Sequence, residues 1–213
     1  MIKSVMRSGT RRAVTGSAAV LLAVAGVVAS AGSASADTTI TLRYPVTTGS
    51  THLAAPNATV PLGPGKLTAT ADLTTYTVTA KLSLPNATGS FKELNAVPVT
   101  ATTQFINDGP TTGTINSSTG AVATTSKITI RIVSLTVGGI PQLIGNSCET
   151  VTPATIQVSS QPGWNIIKGG NLAGTYTMPQ FHHCLLDTLL INLTLPGPGN
   201  TITLTLGKGK PVQ

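Results

Sequence analysis

From Asp37 to the end of the chain, apolar residues recur at every second position. Ile40, Leu42 and Tyr44 alternate with Thr39, Thr41 and Arg43; Leu67, Ala69, Ala71 and Leu73 form a second row, and Tyr76, Val78, Ala80, Leu82 and Leu84 a third. A period of two places apolar side chains on one face of a β-strand, whereas a helix face needs a period near 3.6. The polar positions are mostly threonine, whose branched Cβ suits a pleated surface. Turn chemistry punctuates these rows. Pro56–Gly65 is a loop by composition, Asn107-Asp108-Gly109-Pro110 is a turn, and Ser117-Ser118-Thr119-Gly120 offers a glycine for positive φ between two hairpin arms. Short Leu73-Thr74-Thr75 joins the second and third rows as a hairpin. The expected fold is therefore all-β: an antiparallel sandwich or barrel-like domain of roughly nine to eleven short strands.

Three stretches are less regular. Phe91–Asn95 reads as an irregular turn. Between Lys127 and Val137 the apolar parity changes, from Ile128, Ile130 and Ile132 to Val133, Leu135 and Val137, which predicts a β-bulge or a strand crossing between sheets. Leu185–Leu195 begins as the one helix candidate of this part of the chain. Leu189, Ile191, Leu193 and Leu195 alternate with Asn192 and Thr194, and the reading adopted is a strand.

The N-terminus has a different character. Lys3, Arg7, Arg11 and Arg12 occur without an acid, Ala13–Ser30 is apolar, and Ala34-Ser35-Ala36 fits the small-x-small cleavage pattern. Residues 1–36 are expected to be a signal peptide, cut between Ala36 and Asp37, leaving residues 37–213 as a single secreted β-domain with no membrane span. Arg11-Arg12 keeps twin-arginine export open beside the general route. Removing those four bases from thirteen leaves nine against six acids, a net charge of +3. The nine are scattered, whereas nucleic-acid faces cluster Lys and Arg and interleave aromatics, so no nucleic-acid partner is expected.

Cys148 and Cys184 are the only cysteines. In an exported chain this pair reads as one structural disulfide. His182 and His183, with Met178, Cys184 and Asp187 nearby, are the one cluster with metal-ligand chemistry. A cysteine consumed in a disulfide is no thiolate ligand. The expectation is a polar turn and no metal or other cofactor. Trp164 follows Pro162-Gly163 and is expected to be a loop side chain packed over the disulfide segment, the alternative being a small ligand-binding patch. There is no Gly-x-Ser-x-Gly elbow, and none of Asp37, Asp72, Glu93, Asp108, Glu149 and Asp187 stands in a hydrolase motif. One tryptophan and three tyrosines leave little for sugar stacking. No catalytic residues are expected.

The segments Asn146-Ser147-Cys148-Glu149-Thr150, Ser160-Gln161-Pro162-Gly163, Gly169-Gly170, Leu172-Ala173-Gly174-Thr175-Tyr176 and Pro179-Gln180-Phe181, ending at Cys184, give the chain a likeness. It resembles exported actinobacterial (Streptomyces-type) proteins of unknown function. The resemblance implies a secreted β-domain and the cysteine pairing. The function expected is a non-catalytic β-domain, extracellular or held non-covalently at the cell envelope, that binds a cell-surface or extracellular partner or builds surface structure. The alternative is a carrier of a small ligand, lipid or metal, or an enzyme, using a cavity between sheets or the His182/His183 cluster.

Overall fold

The structure is a computed structural model that describes residues 38–93 and 96–212, and every statement below concerns these. The expected leader, residues 1–36, and its Ala36/Asp37 cleavage point lie outside the described residues.

The strands in chain order are β1 (Thr39–Leu53), β2 (Ala58–Pro61), β3 (Gly65–Asp72), β4 (Thr77–Ser83), β5 (Ala87–Glu93), β6 (Val97–Asn107), β7 (Thr111–Ile115) and β8 (Val122–Val137). They continue with β9 (Ile140–Pro141), β10 (Glu149–Thr150), β11 (Ala154–Ser160), β12 (Gly170–Met178) and β13 (Phe181–His182). A 3₁₀ turn (Leu185–Asp187) and helix α1 (Thr188–Thr194) precede β14 (Gly197–Leu206) and β15 (Lys210–Pro211). All-β architecture holds, but with fifteen strands rather than nine to eleven. The excess lies largely in two-residue strands such as β9, β10, β13 and β15, too short to carry any period in sequence.

All pairings are antiparallel, and eight of the strands pair in a circle. β1 pairs β3, β3 pairs β4, β4 pairs β7 and β7 pairs the first part of β8. β8 pairs β11, β11 pairs β12, β12 pairs β14, and β14 returns to β1. This closed ring is the connectivity of a barrel and leaves no open edge along that path. The expected hairpins sit within it: Asp72 faces Thr77 across the β3–β4 turn, and Ile115 faces Val122 across the β7–β8 turn, where Gly120 takes φ 70°.

β8 is sixteen residues long and serves two assemblies. Beyond Ile128 it leaves β7 and β11 and pairs with β6, which pairs with β5. On its other side β8 meets β9 and, through Arg131 opposite Glu149, β10, which pairs β13. The parity change marks a bulge: Thr103 faces Ile132 and Thr102 faces Ser134, so Val133 is the extra residue. Burial therefore steps from Ile132 to Leu135 while Val133 turns outward.

Two sequence expectations are corrected. Phe91–Glu93 belongs to β5, an edge strand paired with Val97–Val99 of β6, and is not part of an irregular turn. Its partner strand supplies the hydrogen bonds that the local sequence does not advertise. The second correction is Leu185–Leu195, which is helical and not a strand. Ile191 and Leu195 are buried while Leu189 and Leu193 face solvent, a period of four that splits the row a strand would have kept on one side. Asn192 secures the helix by accepting from the Phe181 N–H at 2.7 Å and donating to the Phe181 carbonyl at 2.9 Å.

Candidate functional site

The ring encloses an apolar lumen because its strands turn alternate residues inward. Leu42 and Tyr44 of β1, Leu67, Ala69 and Ala71 of β3, Val78 and Ala80 of β4, Val158 of β11, Leu172 of β12 and Leu204 of β14 line a cavity of about 80 Å³. Ala69 lies directly opposite Ala80 in the β3–β4 register. That pair withholds the methyl groups that larger residues would contribute, and interior space left unfilled in a close-packed core persists as a void. A second cavity of about 40 Å³ lies among Thr51, Leu62, Phe105, Ile130, Tyr176 and Ile202, with Leu82 in the wall of both.

Hydroxyls in these walls are engaged by one another or by backbone carbonyls. Thr51 Oγ1 lies 2.8 Å from the Tyr176 hydroxyl and donates to the Thr201 carbonyl, and Thr111 Oγ1 lies 2.7 Å from Ser126 Oγ. Burial pushes the Tyr44 phenol up to about 12, and burial also raises Tyr176 despite the opposing bond from Thr51. Both phenols are neutral at ordinary pH. No charged residue lines either cavity, and among the described residues no buried side-chain nitrogen or oxygen lacks a partner. Such a lining offers apolar contact and no free polar anchor.

The loop from β11 to β12 lies over the larger cavity through Trp164 and Ile166. Trp164 packs near Tyr44, ring centroids 6.2 Å apart, and its indole N–H donates to the Gly120 carbonyl at 3.0 Å. The Tyr44 hydroxyl donates to the Ile166 carbonyl. Asn165 organises the loop: its Oδ1 accepts from the N–H groups of Ile167 and Lys168, and its backbone exchanges two hydrogen bonds with Gly169. Gly169 takes φ 82°, and a Cβ there would meet the carbonyls of Leu206 and Gly207. The loop is thus a built cap, tied to β1 and to the β7–β8 turn. Trp164 lies in this cap, beside Gly170 and in one cavity wall with Val158 and Leu172 of the segment between the cysteines.

Cys148 and Cys184 are joined, both fully buried, with Cα atoms 4.3 Å apart. The bond flanks the β10–β13 pairing, and the Cys148 carbonyl accepts from Ile132 N–H of β8 at 2.8 Å. His182 and His183 stack, ring centroids 4.0 Å apart. Glu149 faces His182 in register, but its carboxylate is bound by Arg131 at 2.7 and 2.9 Å. Among the described residues no three of His, Cys, Asp and Glu converge on one point. The structure therefore brings together Tyr44 and Trp164, and separately the cysteines and histidines. The sequence singles out Trp164 and allows a cavity between sheets, but it does not name the residues that line the lumen. Its signal was present as the small inward residues Ala69 and Ala80, whose pairing becomes visible only once the hairpin register is known.

Comparison with protein-family models, with curated proteins and with solved structures finds no match to this chain.

Proposed function

We propose that this chain is an exported, non-catalytic binding domain that holds a small apolar molecule within its strand ring. The observation that carries this reading is the uncharged lumen behind a hydrogen-bonded Trp164 cap. At about 80 Å³ the lumen is roughly half the ~150 Å³ of an apolar cavity that stays dry and accepts benzene, so a molecule of that size enters only as the walls shift outward. Leu82 stands in the wall of both cavities. Export is supported by the basic, then apolar leader, by the resemblance to exported actinobacterial proteins, and by a buried disulfide, which belongs in an oxidising compartment. Among the described residues no helix is long and apolar enough to cross a membrane.

Trp164 is the only tryptophan of the chain, so its fluorescence reports on the cap alone. Titration with benzene and with short-chain fatty acids is expected to shift and saturate this emission. Ala80→Leu, which fills the lumen from the wall, is expected to abolish the response while the protein stays folded. Native mass spectrometry of protein purified from culture medium is expected to show a bound apolar adduct that Ala80→Leu lacks. An unchanged spectrum with every ligand, and no adduct, would refute the reading.

A further inference from the structure

The 3₁₀ turn and α1 present their side chains in an unusual sense. Asn192 and Thr188 point inward, where Asn192 clamps Phe181 and the Thr188 hydroxyl accepts from the Cys184 N–H at 3.1 Å. The leucines point outward. Leu186, Leu189, Leu190 and Leu193 follow the i, i+3, i+4, i+7 spacing of one helix face, the stripe that normally meets a core. Leu185 joins them, its Cγ and Cδ1 3.6 and 3.7 Å from where a Cβ on Gly145 would stand, and Gly145 is two residues along the chain from exposed Leu143. Leu143, Leu185, Leu186, Leu189 and Leu193 are between 60% and 98% exposed.

We infer that this leucine face is the contact between two copies of the chain, related by a two-fold axis. Area supports it first. Five leucines at that exposure offer on the order of 600–700 Å² of apolar surface, above the largest patch usual on a monomer and close to the ~800 Å² per partner of a stable interface. Charge supports it next. A two-fold contact sets a patch against itself, so like charges are penalised, and from Leu185 to Leu195 the only charge is Asp187. Composition distinguishes the occupant. Interfaces with other proteins lean on Trp, Tyr and Arg, whereas permanent homodimers resemble a core cut in half. A lipid surface would call for Lys, Arg or aromatic residues around the leucines, and the nearby cation Arg131 is bound to Glu149.

The purified protein is expected to sediment as a dimer at micromolar concentration. Leu186→Glu/Leu193→Glu places like charges on both halves and is expected to give a monomer with unchanged circular dichroism, whose melting temperature, unlike that of the wild type, no longer depends on protein concentration. Mixing it with Leu186→Lys/Leu193→Lys is expected to restore a mixed dimer. A monomeric wild type at 100-fold higher concentration would overturn the inference, as would a dimer that survives the glutamates. A monomer that binds neutral phosphatidylcholine vesicles, and loses that binding with the glutamates, would overturn it in favour of a lipid surface.

Discussion

Tyr44 sits where the ring wall, the lumen and the cap meet, and its phenol acts on all three. Its ring helps line the cavity, and its hydroxyl ties the cap through Ile166. Burial disfavours the phenolate, so the folded-state value of about 12 exceeds the roughly 10 of an unfolded tyrosine. The unfolded chain therefore loses its proton first as pH rises. The resulting stability is fully present below about pH 10 and declines through the window from 10 to 12. Tyr176 shifts in the same direction and adds to the decline. Tyr44→Phe is expected to destabilise the protein at pH 8 by about 1 kcal/mol, through the lost hydrogen bond, and to flatten the alkaline decline. Urea unfolding at pH 8, 10 and 11.5, with tyrosinate absorbance followed in parallel, checks both effects. Equal slopes in wild type and variant would show that Tyr44 is not the titrating group.

Among the elements, the disulfide joins the flanks of two very short strands, β10 and β13, which lie beside the long β8. β10 and β13 hold only two residue pairs between them, so backbone pairing alone is a weak tether. Cys148 and Cys184 are 36 residues apart, and closing that loop in the unfolded chain stabilises the fold by about 4 kcal/mol in the chain-entropy account. Cys148→Ala/Cys184→Ala is therefore expected to lower the melting temperature markedly, and alkylation of unreduced protein to label no cysteine. Labelling of both would exclude the bond. How legible each element is depends on whether its cause is local. The bulge at Val133 is readable because the parity change is written in consecutive residues. The helix at Leu185–Leu195 is not, because its leucines satisfy a period of two and a period of four alike, and the arbiter is Asn192 reaching Phe181. β5 hides for a similar reason: β6 defines it, and its own residues do not. Ring closure through β8 and β11 depends on partners whose register no local pattern records, so the lumen and its cap stay invisible until the strands are placed.

At the scale of the whole molecule, the ring is fastened by distant partners. Val46–His52 of β1 pairs with Thr201–Leu206 of β14, so nearly the entire described chain lies between the two sides of one seam. Contacts of such separation fold slowly, because loop closure precedes any reward from pairing. Deleting Asn200–Gln213 removes the partner of both β1 and β12 and is expected to leave an aggregation-prone chain without cooperative unfolding. Retention of a sharp thermal transition in that truncation would contradict the seam's role. The seam also sets a timetable. A chain that emerges N-terminus first can pair β1 with β2 and β3 early, but the ring stays open along one side of β1 until β14 follows.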